Sequence, residues 1–387
     1  MKFEFATAGR IVFGAGSAAE AGRLTAEIGR RAFVITGGQP ERVKTVTDSL
    51  RRSAGAAGIF RVSAEPSLAV VQAAVREARA AQCDVVVGVG GGSVLDTAKA
   101  VAALLTNPED IFEYLEVIGR GRPLGHPSAP SVAIPTTAGT GSEVTRNAVL
   151  HSPEHRVKVS LRHASMLPRL AIVDPDLTVG LPPAFTAGTG CDALAQLIEP
   201  FVSLRASPLT DGPCREGLER LAPALRRAYE RGDDRGARRD MAIASLLGGI
   251  ALSNAGLGAV HALANPIGGR YAAPHGAICG ALLPYVMNAN LRAAEADLFG
   301  DSAGPLHARY GEVAWILTGG ASRDPEAGIA WVRQLVADLR VPRLRTYGIT
   351  ENDLPGMAAD ALKTSSMKAN PVPLTAEQCA DAARAAL

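Results

Sequence analysis

The chain has 387 residues, of which 47% are hydrophobic and 20% charged, and a net charge of +2. That balance suits a soluble globular protein, and its scattered Lys and Arg residues exclude the basic block expected of a nucleic-acid or anionic-membrane binder. Single hydrophobic cores stop growing at about 250–300 residues, so two domains are expected.

Met1-Lys2-Phe3-Glu4-Phe5 carries charge inside its apolar stretch and does not read as a secretory signal. Beyond it, short β-branched runs alternate with Ala-rich helical stretches. Ala32–Thr36 ends in Gly37-Gly38, Cys83–Val89 in Gly90-Gly91-Gly92, Ser131–Pro135 in Thr136-Thr137-Ala138-Gly139, and Leu170–Val173 in Asp174-Pro175. Continuous apolar strands separated by helices predict a parallel sheet covered on both faces. In such sheets ligands bind beyond the carboxyl ends of the strands, where these Gly/Thr turns fall.

The turn Gly90-Gly91-Gly92-Ser93-Val94-Leu95-Asp96-Thr97-Ala98-Lys99 opens a helix. Its glycines let backbone approach a ligand closely, and free N–H groups at a helix start attract an anion. It is neither G-x-G-x-x-G nor a Walker sequence. Ser93 also reads as a helix N-cap with Asp96 at the third helical position, and the two readings are compatible. Thr136–Thr145 offers hydroxyls and small residues, which suit a ribose or an adenine edge.

From about Leu181 the strand pattern disappears, placing an α/β domain at 1–180 and an all-helical domain at 181–387. Helices are expected over Ala184–Ser203, Asp211–Arg231, Arg239–Leu252, Gly258–Ala264 and Gly276–Asn288, and Thr375-Ala376-Glu377-Gln378 is a capping box. The apolar stretch Met241–Leu257 contains Ser245, Gly248, Gly249, Ser253, Asn254 and Gly256, which fits a buried helix better than a membrane span. The five cysteines are an odd count without a C-x-x-C pair, as expected for reduced thiols in a cytoplasmic protein. Cys191 has no basic neighbour and reads as a small buried residue rather than a nucleophile.

Only seven histidines occur, and two of them, His261 and His275, lie in one apolar, Gly-rich segment. Neutral imidazole is the commonest metal ligand, and Asp192 is the candidate third. An Asp-His-His set with an open position would be a Lewis-acid site for a carbonyl or alkoxide. The competing reading is a pair of core histidines and a carboxylate near a helix start.

Together these segments resemble the iron-containing (group III) alcohol dehydrogenases. The likeness runs through Gly90–Lys99, Ile134–Thr145, Ala171–Thr178, Asp192–Ser203, His261–Gly276 and Asn370–Thr375. It implies a Rossmann-like dinucleotide-binding domain, an all-helical domain, a nicotinamide cofactor in a cleft between them, Fe²⁺ or Zn²⁺, a small alcohol or aldehyde substrate, and a homodimer. Cofactor contacts would fall at Gly37, Gly38, Gly90, Gly91, Gly92, Ser93, Asp96, Thr136, Thr137, Thr140, Lys158 and Leu177. Asp192, His261 and His275 match three of the family's four metal ligands and would be the catalytic set.

Three departures stand out. The fourth ligand position holds Gln196, whose carboxamide is a poor ligand beside imidazole, so the site resembles the three-ligand arrangement of glycerol dehydrogenases. Asn265 stands where many members carry a second active-site histidine, which leaves water at the metal or the cofactor ribose as proton source. Gly37 replaces an acidic residue that would repel a 2′-phosphate, and Arg42 and Lys44 lie just beyond, so NADPH should be accepted or preferred. Two further readings are metal-independent reduction of an oxo acid, resembling maleylacetate reductases with Arg270 as a candidate cation, and a nucleotide-binding protein without turnover. The Lys-rich pocket of the related dehydroquinate synthases is not seen.

Overall fold

Short runs of β-branched residues become strands because both their faces are covered. In the computed structural model, which describes residues 2–63, 65–296 and 303–387, the strands are β1 (Ile11–Phe13), β2 (Ala32–Thr36), β3 (Ala56–Arg61), β4 (Val85–Gly90), β5 (Ser131–Pro135), β6 (Asn147–Ser152), β7 (Val157–Arg162) and β8 (Leu170–Val173). Among the described residues, six form a parallel sheet in the order β1-β8-β5-β4-β2-β3. β6 and β7 form a separate antiparallel hairpin. The helices of this unit are α1 (Ala21–Ala26), α2 (Lys44–Ser53), α3 (Leu68–Ala80) and α4 (Gly92–Thr106).

Alternation along β2 sorts the core. Phe33 and Ile35 join α3, α4 and the hairpin on one face, whereas Ala32 and Val34 join α1 and α2 on the other. The chain winds outward from β2 to β3, then returns to the opposite side of β2 to place β4. The strand order therefore reverses between β2 and β4, and the turns after these two strands flank the crevice that such a reversal opens. Those turns are Gly37-Gly38 and Gly90-Gly91-Gly92.

The described residues form two compact units. One comprises Thr7–Thr137 and Gly141–Val179; the other comprises Gly180–Leu387 with Ala138–Thr140 and the N-terminal residues through Ala6. Thr140 thus groups with the helical unit, apart from Thr136 and Thr137. The helical unit consists of α5 (Pro183–Val202), α6 (Pro208–Glu230), α7 (Arg235–Ala255), α8 (Ala259–Arg270), α9 (His275–Ala296), α10 (Ala303–Leu317), α11 (Pro325–Asp338), α12 (Leu354–Ala361) and α13 (Ala376–Ala385). Thr375 and Gln378 cap α13 reciprocally, as its sequence predicts. The expected stop at Ala264 is not observed: α8 continues through Pro266 to Arg270. Pro266, Ile267, Gly268 and Gly269 are buried there, and packing outweighs the hydrogen bond that proline forfeits.

No single helix among the described residues is long and apolar enough to cross a membrane; α7 and α8 pass that test only as a pair bent by 99°. The bend falls at Gly256, whose φ of 76° is costly for any side-chain-bearing residue.

Glycine also sets the distance between α5 and α9. A Cβ placed on Gly276 would lie 2.0 Å from the Gly188 carbonyl oxygen. The two backbones touch directly, one turn from Asp192 on α5 and at the start of α9. Gly276→Ala should therefore cost about 1–3 kcal/mol through overpacking. A thermal melt should show a lower midpoint, and an unchanged one would contradict the close approach.

Candidate functional site

Asp192, Gln196 and Glu199 lie at i, i+4 and i+7 along α5 and so share one face. His261 lies in the first turn of α8, and α9 begins at His275 and carries Cys279 one turn later. Side chains from these helices converge. His261 Nε2 is 3.2 Å from Asp192 Oδ1, and His275 Nε2 is 3.6 Å from the same oxygen. Cys279 Sγ lies 3.9 Å from His261 Nε2 and 3.7 Å from His275 Nε2. One donor atom from each of Asp192, His261, His275 and Cys279 falls within 4.8 Å of every other.

Glu199 supports this set from behind. Its Oε2 is 2.6 Å from His261 Nδ1, and its Oε1 accepts the Val260 N–H at 2.7 Å. The neighbouring Ala259 N–H donates to Asn370 Oδ1 at 3.0 Å. Two side chains thereby satisfy N–H groups that the start of α8 would otherwise leave orphaned. A Cβ on Gly258 would lie 2.8 Å from Asn370 Oδ1 and 2.9 Å from Glu199 Oε1, so glycine is needed to let both approach.

Asp192, His261 and Cys279 are buried, whereas the His275 side chain keeps 30% of its exposure. Burial raises the Asp192 carboxyl, but His275, His261 and a hydrogen bond from Gln196 outweigh it and hold the group below its ordinary value. Burial lowers both imidazoles, yet the Cys279 sulfur, with Glu199 and Asp192 at His261 and Asp192 at His275, raises them above theirs. The Cys279 thiol is likewise pushed up by burial and pulled further down by His275 and His261. Cys191 shows the contrast, because burial without such neighbours pushes its thiol up to about 12.

A carboxylate, two imidazoles and a thiol around one point suit a divalent transition metal. The structure brings Asp192, His261 and His275 together and adds two residues that sequence reasoning did not single out, Cys279 and Glu199. Their signal was helical spacing, four after His275 and seven after Asp192. Gln196 also lies here, bonded to Asp192, while its Oε1 is buried with no hydrogen-bond partner among the described residues. Arg270 pairs with Asp360, so it does not supply the free cation that an oxo-acid site would need.

In the α/β unit, Gly91 caps α4 and no side chain caps its N-terminus. Ser93 is therefore the second residue of the helix, not its N-cap, because Gly91 takes the extended conformation two residues earlier. A Cβ on Gly91 would meet Thr137 at 3.3 Å, which places the turns after β4 and β5 side by side. Gly37 and Gly38 are open, with a Cβ on Gly37 meeting only Val94 at 3.8 Å. Thr136 ties its N–H to the Gly90 carbonyl.

Three of the other expected cofactor residues have internal duties. Asp96 accepts from Ser142 Oγ at 2.5 Å and the Val149 N–H at 2.9 Å, and pairs with buried Lys99 at 3.1 Å. Lys158 pairs with Glu65 at 2.7 Å. Leu177 is core, and its carbonyl accepts from Arg42 Nη1 at 3.2 Å. Arg42 also donates to the Val179 carbonyl, and Lys44 pairs with Asp48, so both cations beyond Gly37 already have protein partners.

Comparison with known proteins places both halves of the chain in one family. The family model described as iron-containing alcohol dehydrogenase matches residues 8–175, and that described as Fe-containing alcohol dehydrogenase family, C-terminal, matches residues 186–387. The 1,3-propanediol dehydrogenase of Klebsiella pneumoniae is 41% identical over 76% of this chain and 73% of its own. A crystal structure of a 1,3-propanediol oxidoreductase superposes with a TM-score of 0.90 at 33% identity, covering all of both chains. A sulfoacetaldehyde reductase from Bifidobacterium kashiwanohense, solved in complex with NAD⁺, superposes with a TM-score of 0.84 at 27% identity over 99% of this chain and 98% of its own. With both of its units matched, the chain belongs to the iron-containing alcohol dehydrogenase family and is an oxidoreductase.

Proposed function

We propose that this protein interconverts a small alcohol and its aldehyde, using NAD(P)H and a divalent metal, Fe²⁺ or Zn²⁺, held by Asp192, His261 and His275. The convergence of those three side chains carries the reading. When bound, the metal supplies a Lewis acid for the substrate oxygen and the nicotinamide exchanges a hydride with the substrate carbon.

The protein's part is to shape and dry the site. With a metal bound, Glu199 would accept a hydrogen bond from His261 Nδ1–H, which would turn the Nε2 lone pair towards the metal position beside Asp192. Burial of Asp192 and His261 excludes water and strengthens charge interactions. His275, the exposed member, marks the side from which substrate approaches. Asn265 has no titratable proton, which closes a relay through that position.

The crevice at the β2/β4 reversal supports a dinucleotide. The uncapped start of α4 suits a pyrophosphate, and Thr137 stands beside it. No carboxylate occupies Gly37-Gly38, so a 2′-phosphate meets no repulsion, but Arg42 and Lys44 are engaged elsewhere. Acceptance of both NADH and NADPH follows better than a strong preference for NADPH.

Turnover, metal-binding and cofactor-preference measurements test this reading. Oxidation of NADH and NADPH should be followed over a panel of aldehydes, and the reverse reaction over alcohols including 1,3-propanediol. A chelator should abolish turnover and added Fe²⁺ or Zn²⁺ restore it, while Asp192→Ala or His261→Ala should lower it on the order of 100-fold or more. Full turnover in either variant would overturn the assignment. Glu199→Gln should weaken metal binding about 10–100-fold in a chelator competition, and unaltered affinity would show that Glu199 does not orient His261. Gly37→Asp should lower NADPH use relative to NADH at least about tenfold, since like-charge juxtaposition costs several kcal/mol. An unchanged ratio would place the 2′-position elsewhere.

A further inference from the structure

We infer that Cys279 is the fourth protein ligand of the metal, so that the ion is held by Asp192, His261, His275 and the Cys279 sulfur and zinc is selected over iron. The inference rests on the metal reading above and specifies its coordination.

Geometry is the first support. Tetrahedral zinc with roughly 2.0–2.2 Å to N or O and about 2.3 Å to S keeps its ligand atoms roughly 3.3–3.6 Å apart. The four observed separations, 3.2 and 3.6 Å from Asp192 Oδ1 to the imidazoles and 3.9 and 3.7 Å from Cys279 Sγ to them, already approximate that figure. The two remaining separations, between the two imidazoles and from Asp192 to Cys279, lie within 4.8 Å, so rotation of the side chains closes the set around an ion. Cys279 is also held from behind, since a Cβ on the next residue, Gly280, would lie 2.9 Å from Cys191 Cβ on α5. Glycine there lets α9 bring its cysteine close to α5.

Charge is the second. A dication between one carboxylate, one thiolate and two neutral imidazoles forms a neutral unit, and its surroundings here are buried. The thiol gives up its proton to solvent as the metal–sulfur bond forms. Thiolate is a soft ligand that suits zinc, whereas the carboxamide of Gln196 is poor for either metal. Gln196 is the rival for the fourth position, because its Oε1 is buried without a partner and its carboxamide already bonds to Asp192. The experiment therefore has to separate sulfur from carboxamide.

Metal-free full-length protein should be loaded with Co²⁺ and its absorption recorded, and zinc affinity should be measured by chelator competition. Ligation by Cys279 predicts a near-ultraviolet thiolate-to-cobalt charge-transfer band in the wild type. The band should be absent from Cys279→Ser and Cys279→Ala and retained in Cys83→Ser and Gln196→Ala. Zinc affinity should fall at least about tenfold in both Cys279 variants, at least the low end of what losing an outer-shell partner costs. Zinc should also displace Fe²⁺ at equal concentration. Cobalt binding without the band, or a band that survives Cys279→Ala, overturns the inference and leaves the Asp-His-His reading standing. Metal loss in Gln196→Ala with the band absent from the wild type assigns the fourth position to the carboxamide. Failure of the wild type to bind zinc, iron or cobalt overturns both. Absence of the band from the cobalt-loaded wild type overturns the inference even if the Cys279 variants do not fold.

Discussion

A carboxylate is buried inside the helical unit, and the site is organised around compensating it. Asp192 has lost its water, which costs several kcal/mol for an ion after relaxation, and only close partners make that tolerable. The helix α5 alone supplies one, Gln196. The rest come from α8 and α9, so the burial of this group requires the three helices to meet at one point. The glycine contact between Gly188 and Gly276 and the glycine at position 258 are steric conditions for that meeting. Glu199 makes the arrangement directional by binding both the His261 ring and the helix that carries it.

The α/β unit solves a related problem with different means. Lys99 lies fully inside, with Asp96 at 3.1 Å and donating to the Ser142 carbonyl and Thr145 Oγ1 at 3.0 and 2.9 Å. This network anchors the turn after β5 to α4, and thereby holds Thr137 against Gly91. Burial also pushes the Glu143 carboxyl, in that same turn, up to about 7. Asp96, expected to face the cofactor, also fixes the backbone of that turn through Ser142 and Val149.

How much of this the sequence discloses depends on which forces leave a local trace. β2, β5 and β8 are legible to the residue, because strands covered on both faces must be continuously apolar. β3 is an edge strand with Gly58 inside and no buried residue, and β1 is three residues long, so neither carries that trace. The helices from α5 onward are located by their breaks, but Pro266 misleads because burial overrides the local penalty. Asp192, His261 and His275 are visible as unusual residues in apolar company. Cys279 and Glu199 look ordinary until three helices are assembled, since their importance lies in contacts 18 and 62 positions away from His261.

The unequal enclosure of the four donors has a kinetic consequence. Three of them are walled in by helix, and one imidazole stands at the boundary with solvent. Among the four described donors His275 is the one that meets solvent, so an ion held by this set would be reached past that ring. Its residence time would then depend on how readily that side chain swings outward. A substitution that loosened the first turn of α9 would shorten that dwell even while every donor remained in place.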